Sequence, residues 1–142
     1  MSGINAGEAS HEFRGEAGSE ACCSLSRGGV IEVSGLEELR ELASRCRVVF
    51  INFYSPMCTY CYLFEPVYSR VASEMAGKAA FARVNVARSL ELAGLFGIMA
   101  TPTTIALVDG RAELMIPGYM DYEDFHGLAH ELLRKTGCIS PA

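Results

Sequence analysis

Cys58 and Cys61 are the residues of this 142-residue chain whose types and spacing are best suited to chemistry. Two cysteines three apart can cycle between dithiol and disulfide, or supply half of a four-ligand zinc site. They follow the run V-V-F-I-N-F-Y-S-P-M starting at Val48, and an apolar-periodic segment continues through Tyr68. The pattern predicts a buried strand that delivers the pair to the first turn of a helix. There Cys58 faces unpaired backbone N–H groups and the positive end of the helix dipole. Such donors stabilise a thiolate, bringing a thiol pKa from ~8.5 into a range of roughly 3.5–7.5. Cys61, one turn further in, is more shielded. The outer sulfur is then suited to attack a disulfide, and the inner one to resolve the mixed disulfide that forms. Zinc would need two more N or S ligands, and the sequence holds no second C-x-x-C.

The elements that position the pair are legible in order. Val30 to Val33 reads as a short strand, and Ser34 with Glu37 forms a capping box for a helix to about Arg45. Its inward face is predicted as Leu36, Leu39, Leu42 and Ala43. Val48 to Tyr54 is nearly continuous in apolar residues, as a strand covered on both faces would be. The helix predicted from Thr59 to about Met75 turns Phe64, Val67, Val71, Ala72 and Met75 inward, and Pro66 should kink it. Ala80 to Val86 alternates as a strand, and Ser89 caps a short helix through Leu95. Thr103 to Val108 and Ala112 to Ile116 pair through the two-residue turn Asp109-Gly110. Asp121 caps a last helix with Phe125, Leu128, Ala129, Leu132 and Leu133 on its apolar stripe. The order is β-α-β-α-β-α-β-β-α, which brings parallel strands together and adds a final antiparallel hairpin.

Composition excludes several classes. A net charge of −5 with mixed signs and no Lys/Arg run argues against a nucleic-acid partner. No apolar run approaches the ~20 residues needed to cross a bilayer, so no membrane partner is expected. The N-terminus does not resemble a signal peptide, which predicts a cytoplasmic location. Six cysteines are many for a reducing compartment, although intracellular hyperthermophile proteins are disulfide-rich. Residues 1–27 read as a flexible N-terminal arm, 28–137 as the folded domain and 138–142 as a short tail. Cys22 and Cys23 in the arm read as exposed spare thiols, with pairing to another cysteine as the alternative. Cys46 and Cys138 read as buried or spare thiols, and a bridge between them would require compatible geometry. His126 and His130, four apart, read as a solvated helix face rather than a metal site.

Three features together resemble the thioredoxin family of protein disulfide oxidoreductases: F-Y-S-P-M-C-T-Y-C, the helix proline Pro66, and F-G-I-M-A-T-P-T from Phe96 to Thr103. The resemblance spans about Gly29 to Lys135. It implies a thioredoxin-like three-layer α/β sandwich, a mixed central sheet with helices on both faces. It makes Cys58 the nucleophile, Cys61 the resolving cysteine, and Pro102 a cis-proline facing them. Substrate peptide would pair with backbone at Thr101 like an added strand. Met57, Thr59, Tyr60, Met99, Ala100 and the Gly118-Tyr119 turn would complete an apolar substrate rim.

The same resemblance implies no bound organic cofactor, only a redox-active Cys58–Cys61 disulfide. It implies disulfide-containing protein substrates and a thiol or reductase as electron donor. Two departures stand out. Thr59-Tyr60 replaces the Gly-Pro usual between the cysteines, which changes where the couple sits on a scale spanning about −270 to −120 mV. Asn52 stands where the family has a buried Asp that helps take the resolving cysteine's proton, and Asn does not titrate. Glu65, four residues after Cys61, is a candidate for that role. The alternative functions are a redox-weak binding or chaperone-like module and a zinc-binding interaction domain.

Overall fold

The computed structural model describes residues 22–25 and 27–140. The arm expected over residues 1–27 lies outside the described residues up to position 21. The described residues form five strands and four helices: β1 (Val30–Glu32), α1 (Leu36–Arg45), β2 (Val48–Tyr54), α2 (Thr59–Glu74), β3 (Ala80–Asn85), α3 (Leu90–Leu95), β4 (Thr103–Val108), β5 (Arg111–Pro117) and α4 (Tyr122–Lys135). The sheet order is β1-β3-β2-β4-β5. β3 runs parallel to both β1 and β2, while β4 is antiparallel to β2 and to β5. The mixed α/β architecture expected from the element order is therefore present.

β2 sits at the centre because it can be buried on both faces. Val49, Ile51 and Phe53 pack with Leu39, Leu42 and Ala43 of α1, Leu92 of α3 and Phe96. Val48 and Phe50 turn the other way, toward Phe64, Tyr68 and Val71 of α2 and Phe125, Ala129 and Leu133 of α4. Alternation along one strand thus supplies two hydrophobic layers and makes the three-layer sandwich. Phe50, Phe64, Tyr68, Phe81 and Phe125 form a connected aromatic cluster in the second layer, with centroid separations of 4.9 Å for Phe50–Phe81 and 5.4 Å for Tyr68–Phe125.

Some local expectations change. The residue that closes the start of α1 is Glu38 rather than Glu37. Its Oε1 accepts from Ser34 N at 2.7 Å and Gly35 N at 3.1 Å, while Glu37 pairs with Arg40. The helix begins at Leu36, one position later than a Ser34 cap would give, and this register still carries Leu39 and Leu42 into the core. Ser89 precedes α3, but its hydroxyl donates to Ser34 O at 3.1 Å and ties two connections together. Val67 is only partly buried, and Tyr68 takes the inward position. The Asp109-Gly110 turn has positive φ at both residues (51° and 83°), as a tight hairpin between twisted strands requires.

The largest correction concerns the cysteines outside the pair. Cys22 bonds to Cys138 and Cys23 to Cys46, so Cys22 and Cys23 are not exposed thiols and Cys46 does not bridge Cys138. Cys22 and Cys23 are buried because residues 22–24 lie antiparallel to 45–47: Arg47 N donates to Cys22 O at 2.7 Å and Ser24 N to Arg45 O at 3.0 Å. Leu25 adds an apolar contact to the α1 layer. Polar composition hid this segment because its anchorage is two covalent bonds and a short ladder, not an apolar period.

The buried Tyr68 also carries a pH prediction. Its hydroxyl donates to Ala82 O at 2.7 Å, and burial holds its pKa well above 10. Below pH 10 the folded and unfolded chains both keep this proton, so its contribution to stability is complete. Above pH 10 only the unfolded chain releases it, and stability falls as pH rises toward the folded pKa. Denaturant melts from pH 8 to 11 should show that decline. Tyr68→Phe should make it shallower, while losing about 1 kcal/mol near neutrality with the hydrogen bond.

Candidate active site

β2 ends at Tyr54, and the four residues Ser55, Pro56, Met57 and Cys58 bring the chain over the sheet edge into α2. Cys58 is the N-cap residue, with extended backbone, and its Sγ accepts from Cys61 N at 3.1 Å. A helix start leaves N–H groups without intrahelical partners, and one of them is here directed at sulfur. Cys58 is half-buried, whereas Cys61 is only 3% exposed. The two sulfurs are joined as a disulfide. The difference in access that the spacing predicts is thus present in the geometry.

The loop before β4 faces Cys58. Thr101 O lies 3.5 Å from Cys58 Sγ, and Ser55 Oγ lies 3.2 Å from Thr101 Oγ1. The Thr101–Pro102 peptide is cis. Thr103 Oγ1 donates to Ala100 O at 2.7 Å, and Gly118 N donates to Pro102 O at 2.7 Å. Gly118 has φ 94°, a value that favours glycine, so the β5–α4 turn is built to brace the proline loop. Pro102 is buried, while Thr101 remains half-exposed. The fold therefore brings Cys58, Cys61, Thr101, Pro102 and Gly118 together from three separate parts of the chain.

Around them lie exposed apolar groups. Met57 and Met99 are 95% and 94% exposed, and Tyr60 is 62% exposed. Thr59, on the first turn of α2, is exposed as well. Tyr60 leans toward Tyr119, with centroids 6.5 Å apart, and Tyr119 meets Phe64 edge-on at 6.1 Å. This aromatic wall connects the residue between the cysteines to the core. Sequence reading placed Tyr60 and Tyr119 at the site without finding that they touch, since their separation of 59 positions carries no local signal.

Beneath α2, Asn52 is in register with Arg83 on β3 and Thr104 on β4, so the three side chains share one face of the sheet. Asn52 and Thr104 are each 1% exposed, and Asn52 Nδ2, Thr104 Oγ1 and Arg83 Nε are buried without protein hydrogen-bond partners. The Arg83 guanidinium lies 3.8 Å from the Tyr54 ring centroid and 3.9 Å from Glu65 Oε2 and Glu32 Oε1. Glu65 therefore directs its carboxylate to a cation. Tyr54 donates to Glu32 at 2.6 Å, and burial with this bond raises its phenol pKa above 10. This polar row went unnoticed in the sequence because it joins three strands.

The sequence model of the thioredoxin family matches residues 32–129. The chain belongs to the thioredoxin family. It is 30% identical over 86 residues to a thioredoxin of Bacillus subtilis (strain 168), covering 61% of this chain and 83% of that protein. It is 31% identical over 91 residues to a thioredoxin of Mycoplasma pneumoniae, covering 64% and 88%. Among solved structures it is similar to a mutant thioredoxin from Halobacterium salinarum NRC-1, with a TM-score of 0.69 at 28% identity over 77% of this chain and 93% of that one. Family membership and the Cys58–Cys61 disulfide together support thiol–disulfide oxidoreductase chemistry. Among the described residues no three His, Cys, Asp or Glu side chains are grouped to hold a metal ion, and no helix is long and apolar enough to cross a membrane.

Proposed function

We propose that the chain exchanges electrons with protein disulfides, with Cys58 as nucleophile and Cys61 as resolving thiol. The observation that carries this reading is the N-capping Cys58 sulfur, accessible and facing Cys61 N–H at 3.1 Å, above an inner sulfur that is almost fully buried. In the dithiol form, the Cys58 thiolate attacks one sulfur of a substrate disulfide and expels the other as a thiolate. Cys61 then attacks the Cys58 sulfur, its proton leaves to the expelled thiolate or solvent, and the second substrate sulfur is released. The protein is left with the Cys58–Cys61 disulfide, and two electrons from a small thiol or a reductase restore it. Thr101 backbone and the side chains of Met57, Thr59, Tyr60 and Pro102, with the turn at Gly118, receive the substrate segment.

Cys61→Ser tests the order of the two sulfurs. It should accumulate a stable mixed disulfide through Cys58 with a disulfide-bonded protein such as insulin, visible on non-reducing gels and removed by dithiothreitol. Absence of that adduct while Cys58 remains alkylatable would overturn the assignment. Asn52 contributes no titrating group, and the Glu65 carboxylate lies 3.9 Å from the Arg83 guanidinium. Glu65→Gln should accordingly leave the pH–rate profile of the intact pair in place, whereas loss of one limb would make Glu65 a base. Two disulfides beyond the redox pair, Cys23–Cys46 buried and Cys22–Cys138 partly so, are suited to an oxidising environment or to a hyperthermophile interior.

A further inference from the structure

Of the methionines among the described residues, Met75 and Met120 are buried and Met115 is 44% exposed, while Met57 and Met99 are almost bare. Both bare residues lie within two positions, along the chain, of a residue of the site. Met57 adjoins Cys58, and Met99 is two residues before Thr101, whose carbonyl oxygen lies 3.5 Å from Cys58 Sγ. A thioether with this exposure is open to two-electron oxidants, and its sulfoxide is polar and chiral where the thioether was apolar and flexible.

We propose that Met57 and Met99 are a peroxide-sensitive modification site that weakens substrate docking at Cys58 when oxidised. The inference rests on the substrate rim proposed above. The thioether sulfur attacks one oxygen of hydrogen peroxide, the O–O bond breaks, and the departing hydroxide takes the proton from the hydroxyl now on sulfur, leaving sulfoxide and water. Sulfur loses two electrons and peroxide gains them. While Cys58 and Cys61 are joined as a disulfide, neither offers a thiolate to the same oxidant, so the rim is the exposed target. Reversal needs two thiols of a sulfoxide-reducing system, which become a disulfide as the sulfoxide oxygen leaves as water. Polar sulfoxides at these two positions remove apolar contact area from the proposed rim without touching either redox sulfur.

The test treats the full chain in its disulfide form with hydrogen peroxide, maps the added oxygens by peptide mass spectrometry, and then follows insulin reduction with dithiothreitol as donor. Met57 and Met99 should oxidise before Met115, with Met75 and Met120 spared. The KM for insulin should then rise about five- to tenfold with kcat within about twofold, as for the loss of apolar contacts made alike in the ground and transition states. In M57L/M99L the KM after peroxide should equal its own value before treatment, whereas M115L should respond as the unaltered chain does. Full oxidation of both residues with KM unchanged, or an equal rise in M57L/M99L, overturns the proposal. A titration with a permanently unfolded, cysteine-blocked protein reads the same weakening without turnover. An untreated chain that fails to reduce insulin would sink the oxidoreductase reading, and the titration would still decide whether peroxide alters the rim.

Discussion

Replacing Cys58 by serine should reduce insulin-disulfide reduction to the uncatalysed background. The expected loss is large because the reaction has one accessible sulfur. Cys61 is almost fully buried, and a serine hydroxyl at position 58 is not ionised near neutrality and is a poor nucleophile toward disulfide sulfur. The Cys61 N–H that now faces Cys58 Sγ at 3.1 Å would be left with an oxygen acceptor, so the helix start should survive and the fold with it. The measurement pairs a turbidity assay of insulin reduction with a thermal melt of the same preparation. An active and folded Cys58→Ser chain would mean that another thiol performs the first attack. Loss of both activity and folding would instead be answered by Cys58→Asn, which keeps an oxygen acceptor at the cap. Cys61→Ser differs in kind: it should still attack substrate once, and stop there.

The second large effect lies away from the site. Breaking the Cys22–Cys138 bond with the double substitution Cys22→Ser/Cys138→Ser should cost about 4–5 kcal/mol of unfolding free energy, because the bond closes a loop with sequence separation 116 and removes that much chain entropy from the unfolded state. Cys23→Ser/Cys46→Ser, with separation 23, should cost about 3 kcal/mol on the same reasoning. A domain of ordinary stability has about 5–15 kcal/mol in total, so the first loss removes a large part of it. Urea melts of the two variants and the unaltered chain decide the matter, read as midpoints and slopes. A midpoint and slope unchanged in Cys22→Ser/Cys138→Ser would show that the bond contributes nothing to stability. The anchored segment has other holds, including Arg47 N to Cys22 O and Ser24 N to Arg45 O, but two backbone hydrogen bonds contribute only about 1 kcal/mol each. The Arg47 side chain joins Asp109 at 2.9 Å and Thr136 O at 3.1 Å, linking the β4–β5 turn to the end of α4 beside this clamp.

Features that depend on neighbouring residues were readable from the chain alone. Apolar runs and alternation bounded by turn residues identified the strands, and 3.6-residue periods with Asp121 and glycine stops identified the helices, because these signals arise from residues within a few positions of one another. The Cys58–Cys61 spacing, with a strand before and a helix after, likewise announced its chemistry locally. Long-range contacts set the remainder. Which face Cys61 hides on, which carbonyl meets Cys58 and which turn braces Pro102 depend on strands β2, β4 and β5 lying side by side, with 43 positions between Cys58 and Thr101. The row of Arg83, Asn52 and Thr104 exists only through register across three strands. The pairing of Cys22 with Cys138 and Cys23 with Cys46 was the least legible feature, since a disulfide requires two α-carbons within a few ångströms and spacing along the chain does not encode that distance.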